Sequence, residues 1–335
     1  MKILVTGGAG FIGSHTVVSL EEAGYEAVIL DDFSNSDKSV IGGLQKILNK
    51  TVPSYAIDCR NYAEVRKVFR EENIEGVIHF AASKAVGESM EQPLLYYQNN
   101  LGSLMTIIDV MLAEGISNLI FSSSCTVYGE VDELPVTENA PVKPAASVYG
   151  NTKQIGEEII RDTTAAQPIK AISLRYFNPV GAHPSGLIGE LPIGKPNNLV
   201  PFVTQTAIGK RAKVTVFGND YPTPDGTCIR DYIHVMDLAE AHVAALKYLA
   251  KQSEDKFYDV FNIGTGNGNS VLELIHSFEK VSRKPLTFET GPRREGDITA
   301  VWADASKANK ELGWKAKRTL DEALEDAWRW EQQLV

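Results

Sequence analysis

Directly behind the apolar run Ile3-Leu4-Val5 the chain reads Thr6-Gly7-Gly8-Ala9-Gly10-Phe11-Ile12-Gly13 and then enters a helical stretch that ends near Gly24. This loop answers several demands at once: a tight turn at a strand end, close approach of backbone to a pyrophosphate, and a helix packed tightly on the strand, with its N-terminus aimed at the phosphates. Gly7, Gly10 and Gly13 meet these demands, and Phe11 and Ile12 open the helix. A glycine triplet alone also reads as a plain structural turn. Its context favours the nucleotide: Ala27 to Leu30 forms a second strand and delivers Asp31 and Asp32, about 20 residues on, where a carboxylate bonds ribose hydroxyls. Two acids would repel a 2′-phosphate, and no lysine or arginine stands between Asp31 and Asp37, so the pattern predicts NAD over NADP. Asp58, at the end of the third strand, faces the adenine ring or is a turn residue.

The same alternation continues. Ile3 to Val5, Ala27 to Leu30, Tyr55 to Ile57, Val77 to Phe80, Leu119 to Ser122 and Ala171 to Arg175 read as strands. Between them Asn61 to Glu72 carries Val65, Val68 and Phe69 at helical spacing, and Pro93 to Glu114 is one long amphipathic run. Strands separated by crossovers imply parallel pairing and right-handed βαβ units, hence an α/β fold with a doubly wound parallel Rossmann sheet. Past Pro179 glycine, proline and asparagine crowd 181–198 and 218–226, and these read as loops. Helical patterns follow at Leu199 to Gly209, Met236 to Leu249, Val271 to Val281 and Leu320 to Trp330. The division expected is a nucleotide-binding domain over 1–178 and a smaller α/β substrate lobe over 179–335, with Phe261 to Ile263 able to return to the main sheet.

At 335 residues the chain is longer than one core usually supports, so one large or two fused domains are expected. Its net charge of −10, without long like-charge runs, argues against a nucleic-acid or anionic-membrane surface. The three cysteines, Cys59, Cys125 and Cys228, suggest neither a disulfide framework nor a metal site and fit a cytoplasmic, reducing setting. No apolar signal core precedes the first strand, and no segment approaches the roughly 18 apolar residues of a membrane span. His79 and His234 stand alone beside apolar strands and read as core or backbone-bonded groups.

Tyr149 and Lys153 lie four residues apart, on one face of a helix. They follow the strand that runs into Ser122-Ser123-Ser124, whose C-terminal end lines the ligand crevice of an open α/β sheet. A nearby ammonium favours phenolate, so Lys153 is expected to lower the Tyr149 pKa from about 10 and make it a general base.

With loop, serine and Tyr/Lys pair together, the chain resembles the extended short-chain dehydrogenases/reductases, and within them the nucleotide-sugar 4-epimerases over nearly its whole length. Four further stretches carry that likeness: Arg175 to Ala182, Asn198 to Pro201, Arg230 to Val235 and Pro292 to Asp297. The resemblance implies Ser124, Tyr149 and Lys153 as catalytic residues. It places Asn35, Asp58, Phe80, Ala81, Ala82, Lys84, Asn99, Ser122 and Tyr176 at NAD, beside the glycine loop, Asp31, Asp32, Tyr149 and Lys153. For the substrate it implies Ser124, Tyr149, Asn178, Asn198, Leu199, Phe217, Arg230, Tyr232, Arg294, Asp297 and Val301. Diphosphate oxygens suit the guanidinium groups of Arg230 and Arg294, although either could be a surface ion-pair residue.

The substrates implied are UDP-glucose and UDP-galactose. Val301, small where the family's gate to the sugar pocket stands, extends the expectation to UDP-GlcNAc and UDP-GalNAc; a core-facing strand residue is the alternative. The helical runs Pro93 to Glu114 and Ser147 to Ala166 could pair across a two-fold axis as a four-helix bundle, as in the family, so the resemblance implies a homodimer. Two rivals remain. A 4,6-dehydratase would need acids where Cys125 and Thr126 stand, and a non-catalytic NAD-sensing protein would have no use for Ser124, Tyr149 and Lys153 together.

Overall fold

The computed structural model describes residues 1–294 and 297–335. Its centre is a seven-stranded sheet. β1 (Lys2–Thr6), β2 (Glu26–Asp31), β3 (Ser54–Ala56), β4 (Gly76–His79), β5 (Asn118–Ser122) and β6 (Lys170–Tyr176) are joined by Phe257–Ile263, in the spatial order Phe257–Ile263, β6, β5, β4, β1, β2, β3. Every pairing in it is parallel. The strands read as near-continuous apolar runs because helices cover both faces. Along β1, Ile3 and Val5 belong to one core with Val17, Ile29, Ile78, Leu238 and Leu246, while Leu4 belongs to the opposite core with Val28, Val65, Val77, Ile107 and Met111. Full burial of each such side chain contributes roughly 1.5 to 3 kcal/mol.

α1 (Phe11–Glu22), α2 (Ser39–Leu48) and α3 (Tyr62–Glu72) connect the first strands. α3 starts where the Asn61 side chain accepts the Glu64 amide at 3.4 Å, a cap that typically contributes about 1 kcal/mol. α2 has no counterpart in the strand-and-helix reading of the sequence; Gly42 and Gly43 weaken its local signal. Pro93 to Glu114 is helical throughout but not one regular helix. A wider π turn at Tyr97–Leu101 separates Pro93–Tyr96 from Gly102–Glu114. The wider turn lets consecutive side chains reach one loop: Asn99 Nδ2 donates to Ser83 Oγ at 3.1 Å, and Asn100 Nδ2 to the Ser83 carbonyl at 3.0 Å.

Beyond β6 the chain builds three small sheets. Asn178–Val180 pairs with Tyr232–His234, Ile229–Arg230 lies between Asn269–Ser270 and Ala300–Val301, and Val214–Phe217 pairs with Phe288–Gly291. Helices Leu199–Ala207, Val271–Ser282 and Leu320–Gln333 pack over them around Val203, Val214, Leu274, Phe278 and Leu324. Phe257–Ile263 returns to the main sheet and pairs with β6 along its full length.

Strand order reverses beside β1, which is flanked by β2 and β4. Crevices at such a reversal, outside the carboxyl ends of the strands, hold ligands in open α/β sheets. Here the loops after β1 and β4 touch: a Cβ added to Gly7, whose φ is +65°, would lie 2.9 Å from the Ala81 nitrogen. One added to Gly13 would lie 2.2 Å from the Gly7 carbonyl oxygen, so only glycine lets helix and turn close this tightly.

Candidate functional site

Ser122, Ser123 and Ser124 leave β5 at the crevice, and each is less than a tenth exposed. Helix Val148–Ala166 starts opposite them, capped by Ser147, whose Oγ accepts the Gly150 amide at 3.0 Å. Its first turns bring Tyr149 and Lys153 inward, both buried. Lys153 Nζ donates to the Ser122 carbonyl at 2.6 Å and stands 4.9 Å from the Phe121 ring centroid and 5.8 Å from that of Tyr149. The sequence pattern thus brings serine, tyrosine and lysine into one buried corner.

The titration of that corner differs from the expectation. Burial raises the Tyr149 phenol well above its ordinary value, opposed by the nearby Ser124 hydroxyl. Burial also lowers the Lys153 ammonium to about 8, opposed by Glu157. A phenol and an ammonium removed from water together both favour their neutral forms, so proximity alone does not make the phenolate. Next to Ser124 stand Cys125, whose thiol burial pushes up to about 12, and Thr126. Neither is an acid able to protonate a leaving hydroxyl near neutral pH.

Of the residues expected at the nucleotide, Asp31 and Ala81 stand against the glycine loop. Asp31 is buried at the end of β2, where its carboxylate accepts the Ala9 amide at 3.0 Å, the Phe33 amide at 2.9 Å and the Ser36 hydroxyl at 2.8 Å. Burial raises its pKa and these bonds oppose the rise. Asp32 is exposed and holds Ser34, and Asn35 is exposed in the same turn. Asp58 is fixed by the Arg60 guanidinium at 2.5 Å, which holds its carboxyl below the usual range. Phe80, Ala81 and Ala82 follow β4, with the Phe80 ring 4.6 Å from that of buried His242. Ser122 Oγ and Tyr176 Oη share a hydrogen bond of 2.9 Å. A glycine cradle at a helix start, closed where any Cβ would collide, with a buried carboxylate at the next strand end, fits a dinucleotide.

Of the residues expected at the substrate, Arg230, Arg294, Asp297 and Phe217 come together. Arg230 and Arg294 both approach Asp297, at 3.6 and 2.8 Å, and the Arg294 guanidinium stands 5.8 Å from the Phe217 ring centroid. Phe217 is 42% exposed, high for an aromatic ring beside charged groups. Val301 pairs through its backbone with Arg230, and its side chain is buried with Val127, Tyr128, Val136 and Phe177. Asn178 opens its short strand beside buried Tyr232. Asn198 and Leu199 stand at the start of helix Leu199–Ala207. His79 and His234 are buried and bonded to Thr6 and to Met236 and Asp326, as their surroundings in the sequence suggest.

Three acidic residues escaped the sequence reading. Glu190 accepts from Asn198 Nδ2 at 2.6 Å and from Lys84 Nζ at 3.4 Å, linking a substrate-side residue to a nucleotide-side one. Asp231, fully buried, accepts the amides of Thr265, Gly266 and Ala303 and so sets the strand that carries Arg230. Glu157 lies one helical turn beyond Lys153 and is buried against Arg175. Helical spacing could have revealed Glu157, and the carboxylate inside an apolar strand could have revealed Asp231. Nothing local marks Glu190.

Residues 4–327 match the family described as GDP-mannose 4,6 dehydratase. The UDP-glucose 4-epimerase of Bacillus subtilis is 50% identical over 336 residues, spanning 100% of this chain and 98% of its own. A UDP-glucose 4-epimerase structure from Stenotrophomonas maltophila with bound NAD and formylated UDP-arabinopyranose superposes with a TM-score of 0.96 at 45% identity, covering 100% of this chain and 98% of that one. The UDP-Glc/GlcNAc 4-epimerase of Campylobacter jejuni superposes with a TM-score of 0.84 at 39% identity, covering 99% of each chain.

Proposed function

The chain belongs to the dehydratase-type nucleotide-sugar family and, within it, to the UDP-glucose 4-epimerases, and from that premise we propose that it interconverts UDP-glucose and UDP-galactose by inversion at carbon 4. The observations that support this reading are the buried Ser124, Tyr149 and Lys153 corner, the glycine cradle, and the clustering of Arg230 and Arg294 on Asp297. The Cys125 and Thr126 positions weigh against elimination of water, hence against a 4,6-dehydratase, and a purely NAD-sensing protein would not need that corner.

NAD, when bound, supplies the two-electron acceptor for the hydrogen on carbon 4 and returns it to either face. The chain's residues handle protons and position. As the phenolate, Tyr149 Oη would take the 4-hydroxyl proton as the 4-keto sugar forms, with Ser124 hydrogen-bonded to the same oxygen; the Lys153 ammonium and the positive charge that oxidised NAD would bring together favour that phenolate against the burial that opposes it. Arg230 and Arg294 exchange Asp297 for diphosphate oxygens, and Phe217 offers its open face to the nucleotide. Asn178, Asn198, Leu199 and Tyr232 complete that grip. Holding the nucleotide at one end leaves the 4-keto sugar free to turn before reduction and reprotonation. The ultraviolet spectrum of purified protein tests this: UDP-glucose should raise an absorbance of reduced cofactor that persists on the protein, and UDP-galactose should form. Absence of both would overturn the proposal.

The N-acetylated pair UDP-GlcNAc and UDP-GalNAc belongs to the same proposal, supported by the small side chain of Val301 and by the two-substrate name of the Campylobacter jejuni relative. Val301→Tyr should suppress UDP-GlcNAc turnover selectively; equal loss of both reactions would identify Val301 as a core residue only. A homodimer is supported by Val86, Met90, Leu94 and Met105, large apolar side chains left 48 to 72% exposed on Val86–Glu114. A second copy presenting the same stripe would cover them. Sedimentation of Leu94→Glu should show monomers where the parent chain shows dimers. A cytoplasmic setting is supported by the free thiols, and among the described residues no helix is long and apolar enough to cross a membrane.

A further inference from the structure

Tyr149, Lys153 and Glu157 follow one another at four-residue steps along the inner face of helix Val148–Ala166. The first two serve the proposed chemistry. The third is a carboxylate with 7% exposure, a placement that needs compensation wherever it occurs. Its compensation is Arg175, itself 6% exposed on β6: Nη2 lies 2.5 Å from Glu157 Oε2 and Nε 2.9 Å from Oε1. Arg175 is braced in turn over the Tyr128 ring, 4.8 Å from its centroid.

A bond to β5 distinguishes this pair from an ordinary buried salt bridge. Glu157 Oε1 also accepts the Ser123 hydroxyl at 2.5 Å. Ser123 lies between the two serines that touch the Tyr/Lys corner: the Ser122 carbonyl receives Lys153 Nζ, and the Ser124 hydroxyl stands by Tyr149. Gly156 allows the close approach, since a Cβ there would meet Phe121 Cζ at 3.0 Å. Strand end and helix are thus joined at successive residues by bonds of different kinds.

We infer that Glu157 is a positioning residue of the epimerase, fixing the Ser122 to Ser124 strand end against the catalytic helix and so holding the Ser122 carbonyl that receives Lys153. The inference rests on the proposed function for its catalytic meaning, while its electrostatic content concerns this chain alone. Lys153 faces the Tyr149 phenol on its own helix, Phe121 and the Ser122 carbonyl on β5, and His79 on β4. Burial holds His79 near a pKa of about 3, so it carries no charge in the working range. The Ser122 hydroxyl is engaged by Tyr176 from β6. Glu157 opposes the burial that draws the Lys153 ammonium down to about 8, and the Arg175 guanidinium on β6 is held against the far side of that carboxylate. Removing that negative charge leaves burial unopposed, and Lys153 loses its proton at lower pH.

The test follows the titration of Lys153 by NMR of lysine labelled with 13C at Cε in the NAD-loaded protein, with the resonance assigned through Lys153→Met. Glu157→Gln should move that titration about 1 pH unit to the acid side. The same shift should appear in the basic limb of kcat, with kcat down about tenfold and KM within about twofold. Should Glu157→Gln leave Arg175 too poorly compensated to fold, the double variant Glu157→Gln/Arg175→Gln keeps the bulk without an unpaired charge; its titration should move less, because the guanidinium leaves with the carboxylate, while kcat should still fall about tenfold with the tie to Ser123 weakened. Ser123→Ala, which keeps the ion pair, should lower kcat without moving the titration. A Lys153 titration unchanged in folded Glu157→Gln overturns the inference, whatever the activity, and so does a parent-level kcat in the double variant where the single one does not fold. Absence of UDP-sugar turnover in the parent chain, with the titration shifted as expected, would overturn the proposed function and leave the electrostatic role of Glu157 standing.

Discussion

The two sides of the crevice are built differently. On the sheet side Ser124, Tyr149 and Lys153 are all less than a tenth exposed, and their neighbours Ser122, Ser123, Glu157 and Arg175 are equally withdrawn from water. On the substrate side Arg294 and Phe217 stand open, and Arg294 is paired with Asp297. A proton transfer requires groups fixed to within a fraction of an ångström, which packing and buried hydrogen bonds supply. A nucleotide grip must open and close, and an exposed guanidinium such as that of Arg294 can exchange one anionic partner for another. The difference also fits an inversion in which the sugar turns while its nucleotide stays held.

The largest effect expected breaks the buried side alone. Tyr149→Phe should lower kcat by about 10² to 10⁴-fold while leaving UDP affinity and retained NAD as in the parent chain. Turnover near the parent value would remove Tyr149 from the chemistry. Arg294→Leu should act on the other side, weakening UDP by about 10 to 100-fold in calorimetry, the usual worth of a charge-assisted hydrogen bond. Saturating substrate should then restore most of kcat. Equal affinity for UDP would make Arg294 a surface ion-pair residue and erase the proposed contrast.

Acid sharpens the comparison further. Burial lowers His15 and His79 to about 3 and His242 to about 4, all three packed among the helices and strands of the main sheet. Because the unfolded chain takes up these protons near pH 6.5 and the folded one does not, stability is lost as pH falls below that value. Each histidine should remove roughly 2 kcal/mol by pH 5. Urea midpoints at pH 7 and pH 5 measure the loss, and His79→Gln should reduce the difference between them. Equal midpoints for the parent chain would show that these rings gain protons without unfolding.

Much of the sheet side is legible in the residues themselves. Gly7, Gly10 and Gly13 with Asp31 form a local pattern, and each reflects a backbone demand that only a few residue types satisfy. Tyr149 and Lys153 share a helix, where four-residue spacing guarantees a common face. The return of Phe261 to Ile263 to the sheet is also visible, although the strand they close begins at Phe257. The π turn at Tyr97–Leu101 is not, because an extra residue in a turn leaves the amphipathic pattern nearly unchanged.

By itself, then, the sequence determined the parallel sheet, the nucleotide cradle and the identities of the buried hydroxyl and ammonium groups, since these follow from short-range periodicity and from backbone geometry. Tertiary structure alone decided their electrical state. Whether Lys153 lowers a phenol's pKa or has its own lowered depends on how much water the fold removes from both, and no spacing along the chain records that. It also decided which acids matter. Glu157 meets Arg175 across 18 residues, Glu190 meets Lys84 across 106, and Asp231 meets Ala303 across 72. A hydrogen bond selects its partner by distance in space, and only the closed sheet brings those residues within reach.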